Sequence, residues 1–312
     1  MNRHRYGPYR TPTEIYDHFR CLMEMSPGSR EFVTGHSVRG RPVRSWRFGA
    51  DDGAPAVLFA AGCHAIEFIG VEQCAAVAGR LVKERARLLE ETAVWFMPVI
   101  NPDGHYSVRD RLRRHRVPLV KTNANRVDLN RNFPVGFYEP HRGIMAGSHR
   151  KTINYHGPAP LSEPESKAFV ELVDMSNPAL AMQLHSFGGS FIFPPCHHRG
   201  ETPDHETFMR LGEQMAALQK QDRYSVASVA QGMYSTYGDI DDWLYYERGV
   251  LAYTLEIGRF GLKSAPPWSW WNIFMWTNPR DVAAALDNNT DACLRLVEAA
   301  AGGVAAKSRS GG

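Results

Sequence analysis

The stretch that decides the fold is residues 56–67, which read AVLFAAGCHAIE. Its first half, Ala56 to Ala61, is a short apolar run, which is typical of a strand buried inside a parallel sheet. Apolar residues then recur at helical spacing from about Gly70 to Glu91, so a helix is expected to follow. His64 and Glu67 therefore lie three residues apart at a strand-to-helix corner, where open α/β sheets bind their ligands.

A second apolar run, Ala179 to Leu184, predicts another buried strand, and His185 follows it directly. Because 185 − 67 = 118 residues separate His185 from Glu67, only the fold can bring the two together. Two histidines and one carboxylate, with a fourth position open for water, form the usual ligand set of a catalytic zinc. The sequence therefore predicts one Zn²⁺ per chain, held by His64, Glu67 and His185.

Motifs spread along most of the chain resemble those of the zinc metallocarboxypeptidases of the carboxypeptidase A/B type. In chain order they are GHS at 35–37, GRP at 40–42, GCHAIE at 62–67, NPDG at 101–104, VDLNRNF at 127–133, GP at 157–158, SEPE at 162–165, QLHSF at 183–187, DW at 242–243 and YTLE at 253–256. Each motif is short, but their order and spacing match the family throughout. Carboxypeptidase A also uses a two-histidine, one-glutamate zinc site.

The resemblance implies two catalytic residues besides the metal ligands. Glu256 ends a buried run, thirteen residues after the tryptophan of the Asp-Trp pair, where the family has its general acid/base carboxylate. A structural ion pair is the alternative, since a buried carboxylate needs either a partner or a function. Arg113 lies fifteen residues before Asp128, where the family has the arginine that stabilises the oxyanion. Arg111 and Arg114 are the alternatives within the same basic run.

Substrate binding is implied for three further residues. Asn130 and Arg131 match the family pair that binds the terminal carboxylate, and a guanidinium fork suits a carboxylate geometrically. Tyr234 lies nine residues before the tryptophan of the Asp-Trp pair, at the position of the family's mobile tyrosine. Its segment has glycines at both ends, as a closing lid should. Tyr237 is the rival for this role.

Specificity depends on the register of an acidic segment. Counting without gaps places Asp241 at the position where the family selects a C-terminal Lys or Arg with an acidic side chain, and a slip of one residue would place Asp242 there. Ile66 departs from the family pattern, because many of these peptidases have an arginine inside the His-x-x-Glu motif. A dipeptide, a tripeptide or a modified amide is therefore also open as the substrate.

The 312 residues, with 43% hydrophobic and 22% charged residues, predict an ordinary globular protein. Alternating strands and helices indicate one α/β domain over residues 11–302, with a central mixed, mostly parallel, twisted sheet and helices on both faces. Residues 1–10 are interpreted as an N-terminal arm and residues 303–312 as a disordered tail. The first helix is expected near Thr13, which leaves no room for an inhibitory prosegment.

The bulk properties also bear on partners and location. A net charge of +3 gives no argument for nucleic acid or a membrane surface, and no apolar segment reaches the roughly 18–20 residues of a membrane span. Five scattered cysteines suit reduced thiols, and the N-terminus lacks the apolar core of a secretory signal. We therefore expect a cytoplasmic protein with a small peptide or peptide-like substrate. The oligomeric state is not predicted.

The function that these features favour is a zinc exopeptidase that removes the C-terminal residue of a peptide. The same metal site also occurs in amidases of cell-wall peptides and in deacylases of N-acyl amino acids, so these are the first alternative. A second alternative is a non-catalytic protein that keeps the fold to bind a peptide or a protein partner. Retention of three metal ligands and the base favours an enzyme.

Overall fold

One eight-stranded sheet runs through the chain. The computed structural model describes residues 7–51, 53–139, 150, 152–232, 234–259 and 272–305. The strands are β1 (Arg30–His36), β2 (Pro42–Gly49), β3 (Ala56–Ala61), β4 (Ala93–Met97), β5 (Leu180–His185), β6 (Ser190–Phe193), β7 (Ser225–Ser228) and β8 (Leu251–Glu256). Their spatial order is β1-β2-β4-β3-β5-β8-β6-β7. The pairs β4–β3, β3–β5, β5–β8 and β6–β7 are parallel and the other three pairs are antiparallel, which confirms the mixed, mostly parallel sheet.

Helices cover both faces of this sheet. They are α1 (Pro12–Met25), α2 (Phe68–Glu84), α3 (Leu88–Glu91), α4 (Pro102–Arg113), α5 (Pro164–Ser176), α6 (His205–Ala217), α7 (Val229–Gly232), α8 (Ile240–Arg248), α9 (Phe274–Thr277) and α10 (Val282–Ala301), with a 3₁₀ turn at Leu129–Arg131. Alternate residues of β3 point to opposite faces. Val57 and Phe59 join the core under α1, α2 and α10, whereas Leu58 and Ala60 join the core under α5 and α8.

The structure differs from the sequence-based expectation at the end of α2 and in the N-terminal arm. The helix expected up to Glu91 ends at Glu84, and the short α3 then buries Leu89 against the sheet. Tyr9, in the predicted N-terminal arm, is buried between Phe68 and Phe274 and donates a 2.6 Å hydrogen bond to the carbonyl of Pro279. No helix in the described ranges combines the length and the apolar character of a membrane span.

The carboxyl ends of three adjacent parallel strands define one edge of the molecule. Ala61 of β3 pairs with Leu184 of β5, and His185 of β5 pairs with Glu256 of β8. Helix α2 begins at this edge and packs closely against the end of β5. A Cβ atom on Gly70 would lie 2.2 Å from the carbonyl oxygen of Leu184. The absence of a side chain at Gly70 therefore sets the separation between α2 and the end of β5.

We expect Gly70→Ala to lower the free energy of unfolding by about 1–3 kcal/mol, because the new methyl group collides with backbone that cannot rotate away. Gly79→Ala, in the same helix, is the matched control, since its Cβ would meet nothing closer than the His18 ring at 3.7 Å. It should leave stability unchanged or raise it by up to about 1 kcal/mol. Chemical denaturation of both variants measures the difference, and equal stabilities would contradict this packing argument.

Candidate active site

The three predicted metal ligands converge at the strand-end edge. His64 follows β3, Glu67 immediately precedes α2, and His185 ends β5. The Nδ1 atoms of the two histidines are 3.1 Å apart, and each lies 2.9–3.0 Å from an oxygen of Glu67. All three residues are buried. Two imidazole lone pairs and a carboxylate that point at one position suit a cation, and this donor set is that of zinc.

Each histidine is held from its other side by a second group. The Nε2 atom of His64 lies 3.1 Å from Oδ1 of Asp128, and the Nε2 atom of His185 lies 3.4 Å from Sγ of Cys63. Such contacts to the outer nitrogen fix the orientation and tautomer of a metal-binding imidazole. Burial alone would raise the pKa of Asp128, but the ammonium of Lys121 and the ring of His64 hold it well below its usual range. Asp128 is therefore an anion beside His64.

Cys63 offers a rival ligand set, because its sulfur and one nitrogen from each of the two histidines all lie within 4.8 Å of one another. Its sulfur approaches the Nε2 atom of His185, however, whereas the Nδ1 atoms of both histidines face Glu67. The geometry thus favours Glu67 as the third ligand and Cys63 as an outer partner of His185.

Glu256 ends β8 beside His185 and lines the same cavity. Its Oε2 atom is buried without a hydrogen-bond partner, and none of the recorded salt bridges between described residues involves it. Burial, reinforced by the nearby carboxylate of Glu67, raises the pKa of Glu256 to about 7. A carboxyl group with a pKa near neutrality suits the exchange of a proton. The alternative reading of Glu256 as a structural ion pair has no support among the described residues.

A cavity of about 340 Å³ joins these groups to the predicted substrate-binding residues. Asn130, Arg131 and Tyr234 all line it, whereas Tyr237 does not. Asp239 holds the Asn130–Arg131 pair in place: its Oδ2 atom accepts 3.2 Å hydrogen bonds from the side chains of both. The structure therefore brings the predicted carboxylate clamp to the same cavity as the predicted metal ligands.

Asp241 and Asp242, the two candidates for the specificity role, have different surroundings. Asp241 lines the cavity, where its Oδ2 atom accepts a 2.7 Å hydrogen bond from Thr254 and its Oδ1 atom is buried without a partner among the described residues. Burial, with a smaller effect of Asp239, raises the pKa of Asp241 well above its usual range. Asp242 instead accepts hydrogen bonds from the backbone of residues 196 and 197 and contacts the His197 ring. Of the two residues, Asp241 is thus the one that faces the cavity.

The structure does not bring Arg113 to the site. It is the exposed last residue of α4 and does not line the cavity. Besides Arg131, the cavity is lined by the cation Lys121, whose Nζ atom lies 2.6 Å from Asp128 and 2.8 Å from Asn154. Counting back from Asp128 in fixed steps missed Lys121, because the segment between α4 and Asp128 folds inwards only near its end. Ile66 is 4% exposed, packs in the core and does not line the cavity.

Comparisons with known proteins agree with this geometry. The family described as zinc carboxypeptidase matches residues 15–269. Carboxypeptidase A2 of Mus musculus is 28% identical over 254 residues, which are 77% of this chain and 60% of that protein. Carboxypeptidase A of Helicoverpa armigera superposes with a TM-score of 0.79 at 19% identity, over 95% of this chain and 74% of that one. A murein-tripeptide amidase of Escherichia coli O157 superposes with a TM-score of 0.53 at 21% identity, over 87% and 92%.

The match over 255 of the 312 residues (269 − 15 + 1 = 255) shows that the chain belongs to the zinc carboxypeptidase family. The two structural likenesses, at such low identity, show the fold alone. The chain spans about three fifths of the length of the mouse relative.

We expect Asp128→Asn to weaken zinc binding by roughly 10- to 100-fold, because the outer nitrogen of His64 loses its anionic partner. Asp110→Asn is the matched control, since Asp110 is exposed on α4 and pairs only with Arg114 among the described residues. Competition with a chromophoric chelator measures both affinities. Equal zinc affinity in the two variants would show that Asp128 does not support the metal site.

Proposed function

We propose that this protein is a zinc-dependent carboxypeptidase, which hydrolyses the last peptide bond of a peptide. The observation that carries the proposal is the placement of the Asn130–Arg131 pair in one cavity with Glu256 and the metal-ligand set. A donor pair that recognises a free carboxylate at this place selects the end of a chain. The proposal extends to one zinc ion per chain and to a cytoplasmic location, which stay predictions.

The chain's own residues divide the chemistry between them. Zinc, when bound, polarises a carbonyl and lowers the pKa of water, as in other zinc hydrolases. Glu256 takes a proton from the attacking water and passes it to the nitrogen of the leaving amino acid. Lys121 places a positive charge where the carbonyl oxygen becomes negative. Arg131 and Asn130 hold the terminal carboxylate, and Tyr234 closes over it from the exposed side.

We further propose that Asp241 gives a preference for a C-terminal Lys or Arg. The Oδ1 atom of Asp241 has no hydrogen-bond partner among the described residues, and burial raises the pKa of this carboxyl group. A basic side chain of the substrate supplies the counter-ion that Asp241 itself lacks. Blocked peptides that differ only in the last residue (Lys, Arg, Phe, Leu, Glu, Gly) test this preference. Asp241→Asn should lower kcat/KM for Lys and Arg by about tenfold or more and leave Leu nearly unchanged. Equal effects on Lys and Leu would remove Asp241 from the specificity pocket.

A second candidate function is that of an amidase or deacylase with the same metal site. One observation favours it: Ile66 packs in the core at a position where many family peptidases have an arginine, so the chain lacks that contact to a long substrate. Turnover of a blocked dipeptide, a cell-wall tripeptide and an N-acyl amino acid separates the candidates. Turnover of the tripeptide or of the N-acyl amino acid alone would replace the carboxypeptidase proposal.

We expect Glu256→Gln to lower kcat by about 10²–10⁴-fold, because the amide cannot accept a proton from water. The amide is nearly isosteric with the carboxyl group, so zinc content and peptide affinity should stay near those of the parent protein. Single-turnover kinetics, metal analysis and isothermal titration with a peptide measure the three quantities. A variant with near-normal kcat would show that another group is the base.

We expect Lys121→Met to lower kcat by about 10²–10³-fold, as the loss of one preorganised charge at a developing oxyanion does elsewhere. Arg113→Met removes the same charge from the surface of α4 and is the matched control, with a change in kcat below about twofold. Steady-state kinetics on one peptide compare the two variants. A large loss for Arg113→Met with little loss for Lys121→Met would restore the assignment made from the sequence.

A further inference from the structure

We propose that a basic cavity beside the active site binds acidic side chains of the peptide on the amino side of the scissile bond. This inference rests on the proposed function, because it assigns a further part of the same substrate. The cavity has a volume of about 450 Å³ and is separate from the cavity that holds Glu256. We call it the basic cavity.

The lining of the basic cavity carries an excess of positive charge from separate parts of the chain. Five cationic residues contribute to it, from the turn between β1 and β2, from α4, from residues 121–126 and from the segment beginning at 150. They are Arg39, Arg111, Lys121, Arg126 and Arg150. Of the described residues that line it, one is acidic, Asp103. A concave surface lined with one sign of charge concentrates ligands of the opposite sign.

Lys121 is paired with Asp128 at 2.6 Å, but among the described residues no internal anion cancels the charge of the four arginines. Asp103 is buried and already bound, since Arg41 pairs with it and the backbone N–H of Arg39 donates to it at 2.9 Å. Arg111 donates to the carbonyl of Val117, and the guanidinium of Arg150 lies 5.9 Å from the centre of the Tyr155 ring. These are contacts to neutral groups.

Within the described ranges, none of the recorded salt bridges involves Arg39, Arg111, Arg126 or Arg150. Side chains of this kind on a convex surface would simply be solvated. Here four of them border one concavity, so a ligand can contact several at once.

The position of the basic cavity relative to the clamp identifies the part of the substrate that reaches it. Lys121 is the one residue in the described ranges that lines both cavities. Asn130 and Arg131, which would hold the terminal carboxylate, line only the active-site cavity. A peptide whose end is fixed at the clamp and whose preceding residues pass Lys121 reaches the basic cavity.

Carboxylates match this lining in geometry as well as in charge. An arginine fork binds a carboxylate through two parallel hydrogen bonds. Arg39 and Arg126 come from different segments and face one cavity, so two acidic side chains of an extended peptide could each have a guanidinium partner. The ligand we assign is thus a peptide with Glu or Asp residues upstream of its last two residues.

The test compares three pentapeptides that are blocked at the amino end and have a free C-terminal carboxylate. They share their last two residues and carry three Glu, three Gln or three Lys before them. Isothermal titration into the zinc-loaded Glu256→Gln variant measures binding without hydrolysis. We expect the Glu peptide to bind about tenfold more tightly than the Gln peptide at low salt, which a few exposed ion pairs can supply. The difference should shrink as the ionic strength rises beyond about 0.15 M, and the Lys peptide should bind most weakly.

Two further variants locate the effect. Arg39→Gln combined with Arg126→Gln should make the Glu peptide bind like the Gln peptide, with the affinity of the Gln peptide changed less than about twofold. Arg85→Gln combined with Arg295→Gln is the control, since it removes the same charge from exposed or half-exposed positions outside both cavities, and it should keep the preference.

Equal binding of the Glu and Gln peptides, or a preference that survives Arg39→Gln with Arg126→Gln, would overturn the inference. Hydrolysis of the Gln peptide by the unaltered protein tests the proposed function separately. If that peptide is cleaved without any preference for Glu, only the basic-cavity inference fails. If it is not cleaved while the Glu peptide still binds more tightly, only the carboxypeptidase proposal fails.

Discussion

The parallel alignment of β3, β5 and β8 is the constraint on which the rest of the site depends. Their carboxyl ends lie at one edge because neighbouring parallel strands share their direction, and the register pairs His185 with Glu256. His64 and Glu67 enter the same space from the corner that follows β3. No local motif could place a residue from position 64 within 3.1 Å of one from position 185; the hydrogen-bonded ladder of the sheet does so.

Charge balance decides how the buried groups of this edge behave. Asp128 is paired with Lys121, and Asp239 is paired with Arg131, so both cations are held in fixed positions before a substrate arrives. Preorganised charges of this kind avoid the reorganisation that water would need during a reaction. Glu256 and Asp241 have no such cationic partner in the described part of the chain, and burial raises the pKa of each. The unpaired carboxyl groups are therefore the ones to which we assign a proton-transfer role and a specificity role.

The sequence predicted most of this edge because its signals are local. An apolar run that ends in a polar residue marks the end of a buried strand, and this applies to His185 and Glu256 alike. The sequence did not predict the position of Lys121. This residue belongs to a loop whose path depends on contacts with Asp128 and Asn154 rather than on any repeating pattern. The choice between Asp241 and Asp242 likewise needed the orientation of α8, since adjacent helical residues point in directions about 100° apart.

X-ray absorption at the zinc edge, on protein loaded with one equivalent of zinc, tests the central claim most directly. The account places two imidazole nitrogens and a carboxylate around the metal, so the spectrum should fit nitrogen and oxygen neighbours alone at about 2.0–2.2 Å. A sulfur neighbour at about 2.3 Å would mean that Cys63 binds the metal instead of contacting the outer nitrogen of His185. That result would contradict the ligand set from which the site, the base and the clamp are all argued.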